Sequence, residues 1–141
     1  MKKPLEQTPY VFVYGTLMSG FGNNRLLKDS MFIEHASTED EYILVLSGLI
    51  PFLMDNVSDC YVVGEVYKIN DKTLKKLDDL EGHPNWYERR IINVVSDVGD
   101  RLKAWAYFMP EKLEGAEVIE LGDYRAYMES LTLNLNYERK Q

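Results

Sequence analysis

Nine consecutive residues, Tyr61-Val62-Val63-Gly64-Glu65-Val66-Tyr67-Lys68-Ile69, constrain the fold more than any other stretch. They are rich in β-branched and aromatic side chains and read as the strongest strand of the chain. Apolar residues fall on both faces, so the strand belongs in the middle of a sheet or in a curved one, and Gly64 marks a bend or bulge. A sheet built round it must be covered on both sides. The next segment offers one cover: Asp71 to Glu81 has helical spacing, with Asp71 as its cap and Leu74, Leu77 and Leu80 forming one apolar stripe.

The remaining elements follow the same pattern. Tyr10 to Gly15 reads as a buried strand that ends in the glycine-containing loop Gly15-Thr16-Leu17-Met18-Ser19-Gly20-Phe21-Gly22, and Asn23 or Asn24 caps a short helix through Leu27. Met31 to Ala36 and Glu41 to Leu46 are two further strands, and Pro51 to Met54 is a loop or short extended piece. Trp86 to Val95 and Arg101 to Phe108 form a hairpin, and Asp123 caps a last helix with Tyr124, Tyr127, Met128 and Leu131 on one face. Many strands with few helices predict an α+β fold, a strongly curved mixed or antiparallel sheet that can close into a small barrel, flanked by short helices. At 141 residues, without repeat or linker, the chain reads as a single domain over 1–141 with its core at about 10–131.

Composition removes several function classes. A net charge of −7, with basic residues only in short pairs, argues against a nucleic-acid surface. The lone cysteine, Cys60, excludes an internal disulfide and a cysteine-rich metal cluster, and the two histidines, His35 and His83, lack a second ligand at fixed spacing, so no metal site is expected. No apolar run is long enough for a membrane span and the start lacks the apolar core of a signal peptide, so a cytoplasmic location is expected. The Gly15–Gly22 loop is not a phosphate loop, because Gly20 is followed by Phe21-Gly22 rather than Lys and Ser/Thr. Its glycines still allow backbone amides to approach a carboxylate or carbonyl oxygen.

One residue breaks the local rules. At about 100° per residue, Glu81 projects within about 40° of the centre of the leucine stripe, whereas Asp79 falls on the opposite face. An inward carboxylate at the negative end of a helix is biased towards its neutral form. Such a departure is a candidate for function; the plain alternative is an exposed last-turn residue paired with Arg89 or Arg90. Gly82-His83-Pro84 stops the helix sharply, which puts Glu81 at a rigid corner beside Trp86 and Tyr87.

Two segments together resemble a known family. Val11-Phe12-Val13-Tyr14-Gly15-Thr16-Leu17, with Gly20, Asn23 and Leu26-Leu27, is similar to the opening motif of the γ-glutamylcyclotransferase-like family. Leu77-Asp78-Asp79-Leu80-Glu81-Gly82-His83-Pro84, with Tyr87 and Arg89, resembles its catalytic-helix motif, and Gly64 to Tyr67 and Ala104 to Tyr107 resemble its strands. The Tyr-Gly-Thr-Leu form resembles the γ-glutamylamine cyclotransferase (AIG2-like) branch, whereas the glutathione branch tends towards Tyr-Gly-Ser-Asn. The resemblance implies a small mixed β-barrel with helices, and an enzyme that cyclises a γ-glutamyl amine or amide to 5-oxoproline and frees the amine. It implies Glu81 as general acid/base and Tyr14, Gly15, Thr16 and Leu17 as the pocket loop, with Tyr87 and Tyr107 as candidate pocket phenols. No cofactor is implied, and the partner is a small γ-glutamyl compound rather than nucleic acid or membrane. The alternative is a non-catalytic binding module for γ-glutamyl compounds or 5-oxoproline. A structural interaction domain is a third reading and would lack a pocket between Tyr14 and Glu81. Segments 48–59 and 111–122 are expected at the pocket mouth. Nothing in the sequence specifies the leaving amine or an oligomeric state.

Overall fold

The computed structural model describes residues 8–47, 50–55, 60–83, 86–109 and 116–139. Five strands close into a barrel in the order β1-β5-β2-β6-β7: β1 (Tyr10–Val13), β2 (Met31–Thr38), β5 (Val63–Lys68), β6 (Glu88–Ser96) and β7 (Arg101–Phe108). A second sheet has the order β4-β3-β8, formed by β3 (Ile43–Ser47), β4 (Ile50–Met54) and β8 (Glu117–Val118). The helices are α1 (Asp71–Glu81) and α2 (Tyr124–Arg139), with 3-10 turns at Gly22–Leu27 and Glu120–Gly122. The curved α+β expectation holds, and the sheet does close.

Closure depends on β1. It pairs antiparallel with β5, from Tyr10↔Lys68 to Val13↔Glu65, and meets β7 in parallel at Val11↔Trp105. Strand β5 is central as predicted, paired with β1 on one side and β2 on the other. Its glycine has a different reason. The bulge lies in β2 between Phe32 and Glu34, while a Cβ on Gly64 would lie 2.3 Å from the Val13 carbonyl oxygen, so the position is dictated by close backbone approach. The interior is filled by Phe12, Val66, Val94, Ala104, Ala106 and Phe108, all almost fully buried, and Leu77 of α1 is fully buried with them.

Two local expectations change, and a third is narrowed from a loop or short extended piece to the extended form. Pro51 to Met54 is part of a strand: β4 pairs with β3 from Ile43↔Met54 to Ser47↔Ile50, and as a sheet edge it tolerates Pro51. The cap of α1 is Asn70, whose Oδ1 accepts the Thr73 N–H at 2.8 Å, and Asp71 is the first helical residue, where its charge favours the helix N-terminus. Neither Asn23 nor Asn24 caps its short helix. Phe21 stands at the cap position without a side-chain bond, and both amides bind the preceding loop instead. The hairpin of β6 and β7 is as expected, in register from Glu88↔Phe108 to Val95↔Arg101. Asp123 caps α2, accepting from the Ala126 N–H at 3.0 Å, and Tyr124 at its first turn is buried. Among the described residues, no helix is long and apolar enough to cross a membrane.

Candidate active site

The end of α1 is fixed by its own backbone. Gly82 adopts the left-handed conformation, φ 66° and ψ 34°, and its N–H reaches the Asp78 and Asp79 carbonyls. The His83 N–H also donates to Asp78 O, Trp86 N–H to Gly82 O, and Tyr87 N–H to Glu81 O. His83 Nδ1 accepts from the Arg89 N–H at 3.1 Å and ties the corner to β6. Glu81 therefore projects from a helix end whose direction is set on both sides.

It projects into a cavity of about 540 Å³ between that corner, the loop after β1 and the start of β4. All seven residues singled out from the sequence, Tyr14, Gly15, Thr16, Leu17, Glu81, Tyr87 and Tyr107, line it. Among the described residues no hydrogen bond or ion pair reaches the Glu81 carboxylate. Arg89 pairs with Asp78 at 3.0 Å, and Arg90 pairs with Asp55 and Glu88, so the plain surface-pair alternative for Glu81 does not hold. Burial pushes the Glu81 carboxyl up to about 7. A pocket bounded by Tyr14 and Glu81 also removes the expectation that went with a purely structural domain.

The phenols are arranged by hydrogen bonds that spend their protons on the protein. Tyr14 donates to the Tyr107 carbonyl at 2.8 Å, Tyr87 to the Pro51 carbonyl at 3.0 Å, and Tyr107 to Asp78 Oδ1 at 2.6 Å. All three are held well above the usual phenol range, chiefly by burial, with the Asp78 bond adding to the effect at Tyr107 and the Glu81 charge at Tyr87. They remain neutral at any ordinary pH. What they offer a ligand is ring faces and oxygen lone pairs.

The loop after β1 is drawn tight from behind. Met18 N–H closes a turn onto Gly15 O, Asn23 Nδ2 donates to Thr16 Oγ1 at 2.9 Å, and Asn24 Nδ2 donates to Leu17 O at 2.8 Å. The backbone N–H groups of Gly15, Thr16 and Leu17 have no acceptor among the described residues. Under the loop lies Glu65, 1% exposed, which accepts from Ser19 N, Ser19 Oγ, Tyr67 Oη and Arg125 Nη2 at 2.8–3.1 Å. Burial alone would raise its pKa, but these donors together hold it below the usual range.

Sequence reasoning missed this support: Ser19, Asn24, Glu65, Tyr67, Arg125 and also Asp78, which holds both Tyr107 and Arg89. Asp78 had a readable signal, since it lies one helical turn before Glu81. Two other expectations change. Asp79 and Leu80 both line the cavity beside Glu81, and Leu80 is 44% exposed, so the last turn of α1 stands at the mouth of the cavity. Of the two segments expected at the mouth, 48–59 supplies Ile50, Pro51 and Phe52, whereas the described part of 111–122 does not line the cavity and instead pairs with β3. Residues 48, 49, 56–59 and 110–115 lie outside the described residues. Among the described residues no group of three or more His, Cys, Asp or Glu side chains is placed to hold a metal ion.

The pattern of the family described as γ-glutamyl cyclotransferase, AIG2-like, matches residues 11–126. A Methanocaldococcus jannaschii protein provisionally named a γ-glutamylcyclotransferase is 42% identical over 119 residues, covering 84% of this chain and 97% of its own length. Human γ-glutamylaminecyclotransferase is 39% identical over 92 residues, covering 60% of each chain. The crystal structure of a mouse AIG2-like protein superposes with a TM-score of 0.73 at 26% identity, over 82% of this chain and 87% of that one.

Proposed function

This chain belongs to the γ-glutamyl cyclotransferase, AIG2-like family, and we propose that it cyclises a γ-glutamyl amine or amide to 5-oxoproline, releasing the free amine. The names of its relatives support cyclotransferase activity in general. The observation that carries the specific chemistry is Glu81, a carboxyl lining a cavity with no partner among the described residues and with its pKa pushed up to about 7.

The reaction is intramolecular. The substrate's α-ammonium loses a proton to the Glu81 carboxylate, and the freed amine attacks its own γ-carbonyl carbon. A tetrahedral centre forms, and the negative charge moves onto the carbonyl oxygen. Glu81 then returns the proton to the departing nitrogen and the C–N bond breaks as the oxyanion collapses; the second proton of the attacking nitrogen passes by way of Glu81 to the released amine, so that 5-oxoproline and an ammonium ion leave. A carboxyl with a pKa near neutrality can both accept and donate that proton at the same pH. The free amides of Gly15, Thr16 and Leu17 are suited to the substrate α-carboxylate or the developing oxyanion. Tyr14, Tyr87 and Tyr107 supply walls and acceptors that favour a folded glutamyl chain over an extended one.

The test is 5-oxoproline release by Glu81→Gln, which keeps the shape and removes the titrating group. The expected loss is about 10²–10⁴-fold in kcat, with KM little changed. Wild-type turnover by this variant would remove Glu81 from the reaction.

A further inference from the structure

Arg125 stands where a helix least favours it. It lies in the first turn of α2, after the Asp123 cap and Tyr124, where a cation meets the positive end of the helix dipole. The helix gains nothing from that placement, so its reason lies in what the side chain reaches.

It reaches the loop after β1. Arg125 Nη2 donates to the Ser19 carbonyl at 2.6 Å and to Glu65 Oε2 at 3.1 Å. The guanidinium carbon stands 5.0 Å from the centre of the Phe21 ring, which also meets the Tyr124 ring at 5.2 Å. A Cβ on Gly20 would lie 3.5 Å from Arg125 Nη1, so the guanidinium runs alongside Ser19, Gly20 and Phe21. Glu65 and Arg125 divide Ser19 between them. The carboxylate accepts from the Ser19 N–H and hydroxyl, whereas the Ser19 carbonyl needs a donor, which Arg125 supplies.

This grip passes to the cavity wall through two linked turns. Phe21 N–H closes onto Met18 O, Met18 N–H closes onto Gly15 O, and Met18 is itself buried. The amides of Gly15, Thr16 and Leu17 belong to the first turn, and Arg125 holds the second. Arg125 does not line the cavity.

We propose that Arg125 is a positioning residue: through the Ser19 carbonyl it fixes the turn whose amides hold the substrate's carboxylate. The proposal rests on the cyclotransferase reading and adds to it a residue outside the cavity. The carboxylate is charged before, during and after ring closure, so a slackened turn weakens the binding of substrate, transition state and product alike. The effect therefore falls on KM and leaves kcat nearly unchanged. Glu81 acts the other way, on kcat.

The test compares the full chain with Arg125→Ala and Arg125→Lys, with γ-glutamyl butyl amide as substrate and 5-oxoproline as product inhibitor. Arg125→Ala is expected to raise KM and the 5-oxoproline Ki together, each by about tenfold, with kcat within about twofold of the wild type. Arg125→Lys keeps the charge and a donor but loses the fork, and it should recover part of both constants. A purely structural Arg125 would lower the amount of active enzyme, and with it the maximal rate, leaving KM and Ki where they were. That result, or a loss confined to kcat, would overturn the proposal and leave the cyclotransferase reading intact. If Arg125→Ala does not fold, Arg125→Lys decides: KM and Ki raised together support the proposal, and both unchanged overturn it. No 5-oxoproline from the wild-type chain would overturn both the proposal and the reading beneath it.

Discussion

Two glutamates, one fully buried and one half-buried in the cavity wall, lie about one strand and one helix apart in sequence, and their surroundings are opposite. Glu65, on β5, is closed off from solvent and accepts from a backbone amide, a hydroxyl, a phenol and a guanidinium. Glu81, at the end of α1, faces an open cavity with no partner among the described residues. The first carboxyl is held below its ordinary pKa and the second is pushed up to about 7. Burial acts on both in the same direction, so the difference comes from the donors. A carboxylate that is fully answered holds structure together. One that is half-buried and left unanswered is available to carry a proton.

The contrast breaks most sharply with the two obvious substitutions. Glu81→Gln should lose about 10²–10⁴-fold in turnover while folding normally, as measured by product release and thermal unfolding of the same sample. Glu65→Ala should do the reverse. It strands the Ser19 amide and the Arg125 charge, and it should lower unfolding free energy by about 3 kcal/mol in denaturant titration. If Glu65→Ala instead kept full stability and lost turnover, the division of roles would be mistaken.

The pH dependence sharpens the comparison, because the two carboxyls have opposite signs. In the folded chain Glu81 holds its proton up to about pH 7, whereas in the unfolded chain it releases it near its ordinary value. The folded state thus binds more protons between those limits, and this residue removes stability as pH rises through that window. Glu65 is depressed, so its contribution is present above the ordinary carboxyl range and disappears as pH falls through its lower folded value. Chemical denaturation across pH should show the first slope abolished by Glu81→Gln and the second by Glu65→Gln. The rate should follow Glu81 alone: kcat/KM rises through about pH 7 as the general base ionises.

A smaller effect is expected one step from the carboxyl. Tyr107→Phe loses the bond to Asp78 but keeps the ring, and about 1 kcal/mol of positioning corresponds to a roughly fivefold fall in kcat/KM. Asp78→Asn should give a fall of similar size. A drop approaching that of Glu81→Gln would mean that the Tyr107–Asp78 pair takes part in proton transfer rather than in positioning.

Much of this was legible in the chain, and unevenly so. The inward turn of Glu81 was visible because helical periodicity is local, and so were the β6–β7 hairpin and the Asp123 cap. Barrel closure was expected only through the family resemblance and not from periodicity, since it hangs on Val11 meeting Trp105 across most of the sequence. The Glu65 network was hidden for the same reason: its partners Ser19 and Arg125 lie 46 and 60 residues away. At Pro51 to Met54 the sequence left a loop and a short extended piece both open, and only its place at a sheet edge, where proline is tolerated, makes it strand β4. Asn70 and Asp71 are both competent caps, and pattern alone does not separate neighbours.

The most direct test follows the two side-chain carboxyl carbons by carbon-detected NMR through a pH titration, with Glu81→Gln and Glu65→Gln used to assign them. The account predicts that Glu81 titrates near pH 7 and that Glu65 titrates below the ordinary carboxyl range. Two resonances titrating together near the ordinary value would contradict it.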